Sequence, residues 1–124
     1  MVIWLTGLPG AGKTTLAVGL ADRLTQAVIL DGDQVRTWLT PDCDFSREGR
    51  RRHVLRVGRV ASLIERVGGV PIVALVSPID ADRREAIACC QQVRVIHVTG
   101  PARQPYDGTI PYEIPSDAWP LDTQ

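Results

Sequence analysis

Lysine is nearly missing from this sequence. Of the 14 Lys and Arg residues only Lys13 is a lysine, so a single ammonium group stands among guanidinium groups. Neither sign of charge is in excess: 14 Asp and Glu residues balance the basic ones, which removes any global attraction to nucleic acid or to a membrane surface. Long apolar runs are lacking too, and none approaches the roughly 18 residues that suggest a membrane span. The opening run from Val2 to Leu5 has no basic residues before it and is too short for a signal-peptide core, so a soluble, cytoplasmic setting is expected. Cysteine is scarce and odd in number, 3 in all, and the adjacent Cys89 and Cys90 do not have the spacing of a metal or redox motif, which leaves free thiols as the expected state. Repeats, linkers and low-complexity segments are absent, and 124 residues predict one domain at the small end for a layered α/β fold.

What is present has a clear order. Val2 to Thr6 is a short apolar run with β-branched and aromatic residues, the pattern of a buried parallel strand. A glycine-rich loop follows to Gly12, and then Leu16, Ala17, Leu20, Ala21 and Leu24 recur at helical spacing, predicting a helix from Lys13 to Leu24. Ala27 to Leu30 reads as a second strand stopping at Asp31-Gly32-Asp33, and Gln34 to Leu39 as a turn or two of helix. Ser46 is placed to cap a long helix whose apolar face carries Val54, Val57, Val60, Ala61, Ile64 and Val67. Val70 to Val76 predicts a central strand with Pro71 tolerated at its start. Asp80 or Asp82 can cap a helix to about Gln91, Val93 to Val98 predicts a fourth strand, and the remainder reads as loop. Strands alternating with helices predict a three-layer α/β fold of the P-loop NTPase kind, with a parallel sheet of about four to five strands and helices on both faces.

Gly7-Leu8-Pro9-Gly10-Ala11-Gly12-Lys13-Thr14 fits the pattern GxxxxGK[ST], and Thr15 extends it. The glycines allow backbone torsions that turn successive amide N–H groups into one concave nest, and the following helix adds its positive end. Lys13 would bridge the terminal phosphates of a nucleoside triphosphate, and the Thr14 hydroxyl would ligate magnesium. A surface loop that merely turns can match such a pattern, but this one directly follows a strand and directly opens a helix. Asp31 and Asp33 lie just past the second strand, at the sheet edge that carries ligands in open α/β folds. One could hold magnesium through water and the other accept a proton from an attacking hydroxyl, with a plain Asp-Gly-Asp turn as the alternative. Six arginines between Arg47 and Arg59 are either a local anion-binding surface or a solvated helix face.

These residues resemble adenylylsulfate kinases, which phosphorylate the 3′-hydroxyl of adenosine 5′-phosphosulfate with MgATP. Trp4 to Thr15 is similar to that family's opening, with Pro9 where a serine is usual, and Leu30 to Arg36 is similar to its Asp-Gly-Asp box. Phe45-Ser46 with Arg50, Val76-Ser77-Pro78 with Arg83, Pro111 to Pro115 and Leu121 to Thr123 resemble its later signatures. The resemblance implies ATP and Mg2+ as cofactors, Asp33 as the base, Asp31 as an organiser of the metal with Thr14, and Lys13 on the phosphates. It implies that Arg36 and Arg50 grip the phosphosulfate, that Phe45 stacks on adenine, that Ser77 lies at the substrate edge and that Tyr106 stands where a closing loop supplies an aromatic. Phe45 as plain core and Arg50 as solvated charge are the alternatives.

The departures fall in the acceptor pocket and above the nucleotide. His53 stands where the family has an asparagine, and is either a hydrogen-bonding substitute or a helix-surface histidine; Gly49 replaces an aspartate and Ile79 an aromatic. After Thr99 the family's Lys-rich lid is missing, with Arg103 the only nearby cation, and its final helix is not reached. A slow phosphotransferase, a nucleotide-binding module without turnover and a kinase for another small hydroxyl compound all fit this pattern. Small nucleotides, and possible self-association through a sheet face left bare, are the partners expected.

Overall fold

The computed structural model describes residues 1–100 and 110–118. The elements are β1 (Val2–Thr6), α1 (Lys13–Ala21), β2 (Ala27–Asp31), α2 (Gly32–Trp38), α3 (Arg47–Arg66), β3 (Val70–Leu75), α4 (Asp80–Ile87) and β4 (Val93–His97). All strands are parallel, in the order β2-β3-β1-β4. The inner strands β1 and β3 are apolar almost throughout and buried almost throughout, as strands covered on both faces must be.

Alternation along the strands splits the core in two. Val2, Trp4, Val73, Leu75 and Val95 point to one face, where α3 supplies Val54, Val57 and Ala61 and α4 supplies Ala86. Ile3, Leu5, Ile72 and Ala74 point to the other, against Ala17 of α1. The expected three layers are therefore present, with a sheet of four strands.

Several element ends differ from expectation, each for a local reason. Helix α1 stops at Ala21 rather than Leu24 because the N–H groups of Arg23 and Leu24 bond the carbonyls of Leu20 and Ala21, tightening the chain into 3₁₀-like turns. Ser46 does cap α3, accepting from the Gly49 N–H at 3.1 Å. Val67, expected on the apolar face, falls just past the end of α3 and is 85% exposed. Neither Asp80 nor Asp82 caps α4: the Asp80 N–H donates to Glu113 Oε1 at 2.8 Å, while the Asp82 carboxylate takes two bonds from Arg47. The chain leaves that helix at Ile87, and the N–H groups of Gln91 and Gln92 donate to the Glu65 carboxylate instead.

The arginine run forms neither a bare anion surface nor a simple solvated face. Arg47 pairs with Asp82, Arg51 with Glu48 and Glu85, and Arg52 and Arg56 with Asp42. Arg50 turns inward and is buried. Among the described residues no helix is long and apolar enough to cross a membrane.

Candidate functional site

The loop from Gly7 to Gly12 leaves β1 at the C-terminal edge of the sheet and opens α1. Gly12 is the N-cap of α1 with φ 105, a left-handed conformation that a side chain disfavours, so the glycine lets the strand turn at once into the helix. Lys13 folds back across the loop, its Nζ donating to the carbonyls of Gly7 at 2.8 Å and Leu8 at 2.9 Å. Burial pushes the Lys13 ammonium down to about 8, with the Asp31 charge opposing the shift.

Asp31 joins the loop to the next strand. The Thr14 hydroxyl donates to Asp31 Oδ2 at 2.6 Å, and Asp31 Oδ1 accepts the Asp33 N–H at 3.2 Å, capping α2. A cleft of about 810 Å³ opens here, walled by Pro9 to Leu16, by Asp31 to Asp33 and by Ala74 to Val76 of the β3 exit. Asp33 stands exposed in the first turn of α2, on the edge of that cleft.

The other end of α2 carries a second cluster. The Arg36 guanidinium lies 4.0 Å over the Phe45 ring and donates to the Cys43 carbonyl at 3.0 Å. Arg50 Nε donates to the Phe45 carbonyl at 2.8 Å, and its guanidinium is 5.4 Å from the same ring. Burial and the nearby Arg50 charge both lower the Arg36 pKa from its ordinary value. Phe45 is 61% exposed, so it is not a core residue, and the buried Arg50 is not a solvated charge. His53 is also buried, contrary to the helix-surface alternative, with Nδ1 2.8 Å from the Thr40 hydroxyl. Burial foremost, then the charges of Arg36, Arg56 and Arg50, hold its imidazole neutral with a pKa near 4.

Lys13, Thr14, Thr15, Asp31 and Asp33 thus share one cleft with the loop, and Arg36 of α2, Phe45 of the loop that follows it and Arg50 and His53 of α3 form a neighbouring group. Ser77 belongs to neither set. It is 4% exposed with φ 39, and its Oγ accepts from Trp4 Nε1 at 3.2 Å and lies 3.1 Å from Thr6 Oγ1, so the hydroxyl turns into the sheet. Tyr106 and Arg103, with the 121–123 signature, lie outside the described residues. The sequence puts the end of this strand at the ligand-bearing edge but does not mark Ala74 to Val76 as a wall of the cleft, because an apolar strand end carries no chemical signal of its own.

A family model described as adenylylsulphate kinase matches residues 1–104. The adenylyl-sulfate kinase of Myxococcus xanthus is 37% identical over 116 residues, covering 91% of this chain and 63% of its own length. That of Chloroflexus aurantiacus is 41% identical over 105 residues, 82% of this chain and 56% of its own. Among solved structures, the Mycobacterium tuberculosis APS kinase in complex with AMPPNP and APS superposes with a TM-score of 0.81 at 26% identity, over 94% of this chain and 84% of that one. A hexameric APS kinase from Thiobacillus denitrificans gives 0.75 at 36% identity, over 93% of this chain and 23% of that one. The chain spans little more than half the length of the curated relatives it matches.

Proposed function

This chain belongs to the adenylylsulfate kinase family, and from that premise we propose that it transfers the γ-phosphoryl group of ATP to the 3′-hydroxyl of adenylylsulfate. The observation that carries the reading is the 2.6 Å contact between the Thr14 hydroxyl and the Asp31 carboxylate, which joins the phosphate loop to the Asp31-Gly32-Asp33 turn in one cleft.

Asp33 removes the proton of the acceptor hydroxyl, the freed oxygen attacks the γ-phosphorus in line, and the bond to the β–γ bridging oxygen breaks with its electron pair leaving on ADP. The proton on Asp33 then passes to solvent, which reaches this exposed side chain. The loop amides and Lys13 hold the phosphates, so catalysis rests on positioning and charge rather than on a covalent intermediate. Thr14 and Asp31 fit a magnesium ion: both offer hard oxygens at the mouth of the nest, and a site of one or two protein oxygens is what Mg2+ takes when phosphates and waters fill the rest. When bound, that ion would neutralise charge on the β- and γ-phosphates. Among the described residues no group of three or more His, Cys, Asp or Glu could hold a metal. Arg36 and Arg50 grip the phosphosulfate, Phe45 offers a ring face to the adenine, and neutral His53 serves as a hydrogen-bonding substitute for an amide. Ser77 supports the substrate edge from beneath.

A product assay with ATP and adenylylsulfate tests this. Asp33→Ala should lower turnover by about 10²–10⁴-fold, the usual worth of a general base, while ATP affinity stays within about threefold. Turnover by the variant at the parent rate would remove Asp33 from the chemistry. A second reading, a nucleotide-binding module without turnover, is favoured by the short 101–109 connection standing where the family has its lid. Calorimetric binding of both nucleotides with no product would select it.

A further inference from the structure

We infer that Tyr112, held by Arg83, is a positioning residue for the phosphate loop, and that residues 110–118 act as a brace across the ligand-bearing edge of the sheet. The chain there has no helix or strand, yet it is tied down at several points. The Glu113 N–H donates to the Pro78 carbonyl at 2.7 Å, and its carboxylate takes the Asp80 N–H at 2.8 Å. Arg83, 1% exposed, donates to the carbonyls of Ser77 and Glu113 and to Asp80 Oδ1, with its guanidinium 5.6 Å from the Tyr112 ring centroid. One buried cation therefore joins the turn after β3 to the returning chain. A guanidinium this deep is costly unless its donors are met; here both terminal nitrogens are met, by the Ser77 and Glu113 carbonyls and Asp80 Oδ1, while Nε is left without a partner.

The point of contact with the loop is Thr6, the last residue of β1 and the neighbour of Gly7. Thr6 is fully buried, and its Oγ1 lies 2.7 Å from the Val76 carbonyl, 3.1 Å from Ser77 Oγ and 2.8 Å from the Tyr112 hydroxyl. A threonine hydroxyl has one proton. The shortest of these contacts takes that proton to the Val76 carbonyl, which leaves the Ser77 and Tyr112 hydroxyls as the two donors to Thr6 Oγ1, and removing the tyrosine hydroxyl takes away one of the two. His97 stacks on Tyr112 with ring centroids 5.6 Å apart, completing the ring's seat. The same hydroxyl cluster thus ties the root of the phosphate loop at Thr6 to the β3 exit at Val76, which walls the cleft. The loop has little slack on its far side, because a Cβ on Gly7 would meet the Val98 carbonyl at 2.5 Å.

The inference rests on the reading of this loop as a phosphate site, and its test separates the two. Tyr112→Phe keeps the ring, its stack and its cation contact, and removes only the hydroxyl. Amide hydrogen exchange of residues 7–14 in the nucleotide-free chain should speed up roughly fivefold, the worth of one neutral hydrogen bond. MgATP should bind more weakly by a similar factor at a temperature well below melting. Thr6→Val should show the same two effects at least as strongly, and the double variant should be no worse than Thr6→Val alone, since that substitution already removes the contact that Tyr112→Phe removes. A lowered melting temperature with unchanged loop exchange and unchanged MgATP affinity would make Tyr112 merely structural and overturn the inference. Faster loop exchange in a chain whose parent binds no MgATP would keep the brace and overturn the phosphate reading instead.

Discussion

Lys13 sets the residue-scale behaviour of this site. It is the single lysine of the sequence, and its ammonium is held against two loop carbonyls with its pKa pushed down to about 8 by burial. Bound phosphates favour the charged form, so above pH 8 the empty site must take up a proton to bind. MgATP affinity should be flat from about pH 6.5 to 7.5 and then fall by up to about tenfold per pH unit above 8. Lys13→Arg, charged at all these values, should remove the slope, and titration calorimetry across pH would reveal it; an affinity that does not change between pH 7 and 9.5 would contradict the argument. The stability of the empty chain runs the other way. Below pH 8 the lysine is charged in both states and its burial penalty is full; between about 8 and the ordinary 10.5 the native chain sheds the proton first, and stability rises.

Helix α2 is the element on which the candidate site turns, because Asp31 and Asp33 stand at its start and Arg36 at its end. Asp31 has two tasks there, capping the helix through the Asp33 N–H and meeting the Thr14 hydroxyl. Two substitutions separate them. Asp31→Asn keeps a good cap and should change stability by less than about 0.5 kcal/mol, while removing the carboxylate should weaken magnesium-dependent ATP binding about tenfold or more. Asp31→Ala should lose about 1 kcal/mol of stability as well. Thermal melts set beside ATP titrations with magnesium and with a chelator would distinguish the effects. Equal magnesium dependence in the parent and Asp31→Asn would leave Asp31 as a cap alone.

At the scale of the whole molecule, residues 101–109 are all the sequence between Gly100 and Ile110, where the family resemblance leads one to expect a longer lid. A site less shielded from water lets water compete with the acceptor for the γ-phosphoryl group. Transfer to adenylylsulfate should therefore be slow, with ADP formed in excess of phosphorylated product when both are assayed together; strict one-to-one stoichiometry at a rate matching lidded relatives would refute this. The glycine loop, the strands and helices and the parallel direction of the strands were legible in the sequence because each depends on local demands: torsions that only glycine meets, a period of two or of 3.6, a strand running straight into a helix. Side-chain partnerships were not. Thr14 meets Asp31 only because α1 returns the chain to β2 across the inserted β3. Ser77 faces inward because Trp4 and Thr6 lie beneath it, and Phe45 lies largely open to solvent with Arg36 stacked over its ring. Local sequence determined which groups exist at the ligand edge. The order of the strands decided which of them touch, since contacts between residues far apart in the chain follow from the path of the backbone and not from any pattern within a segment.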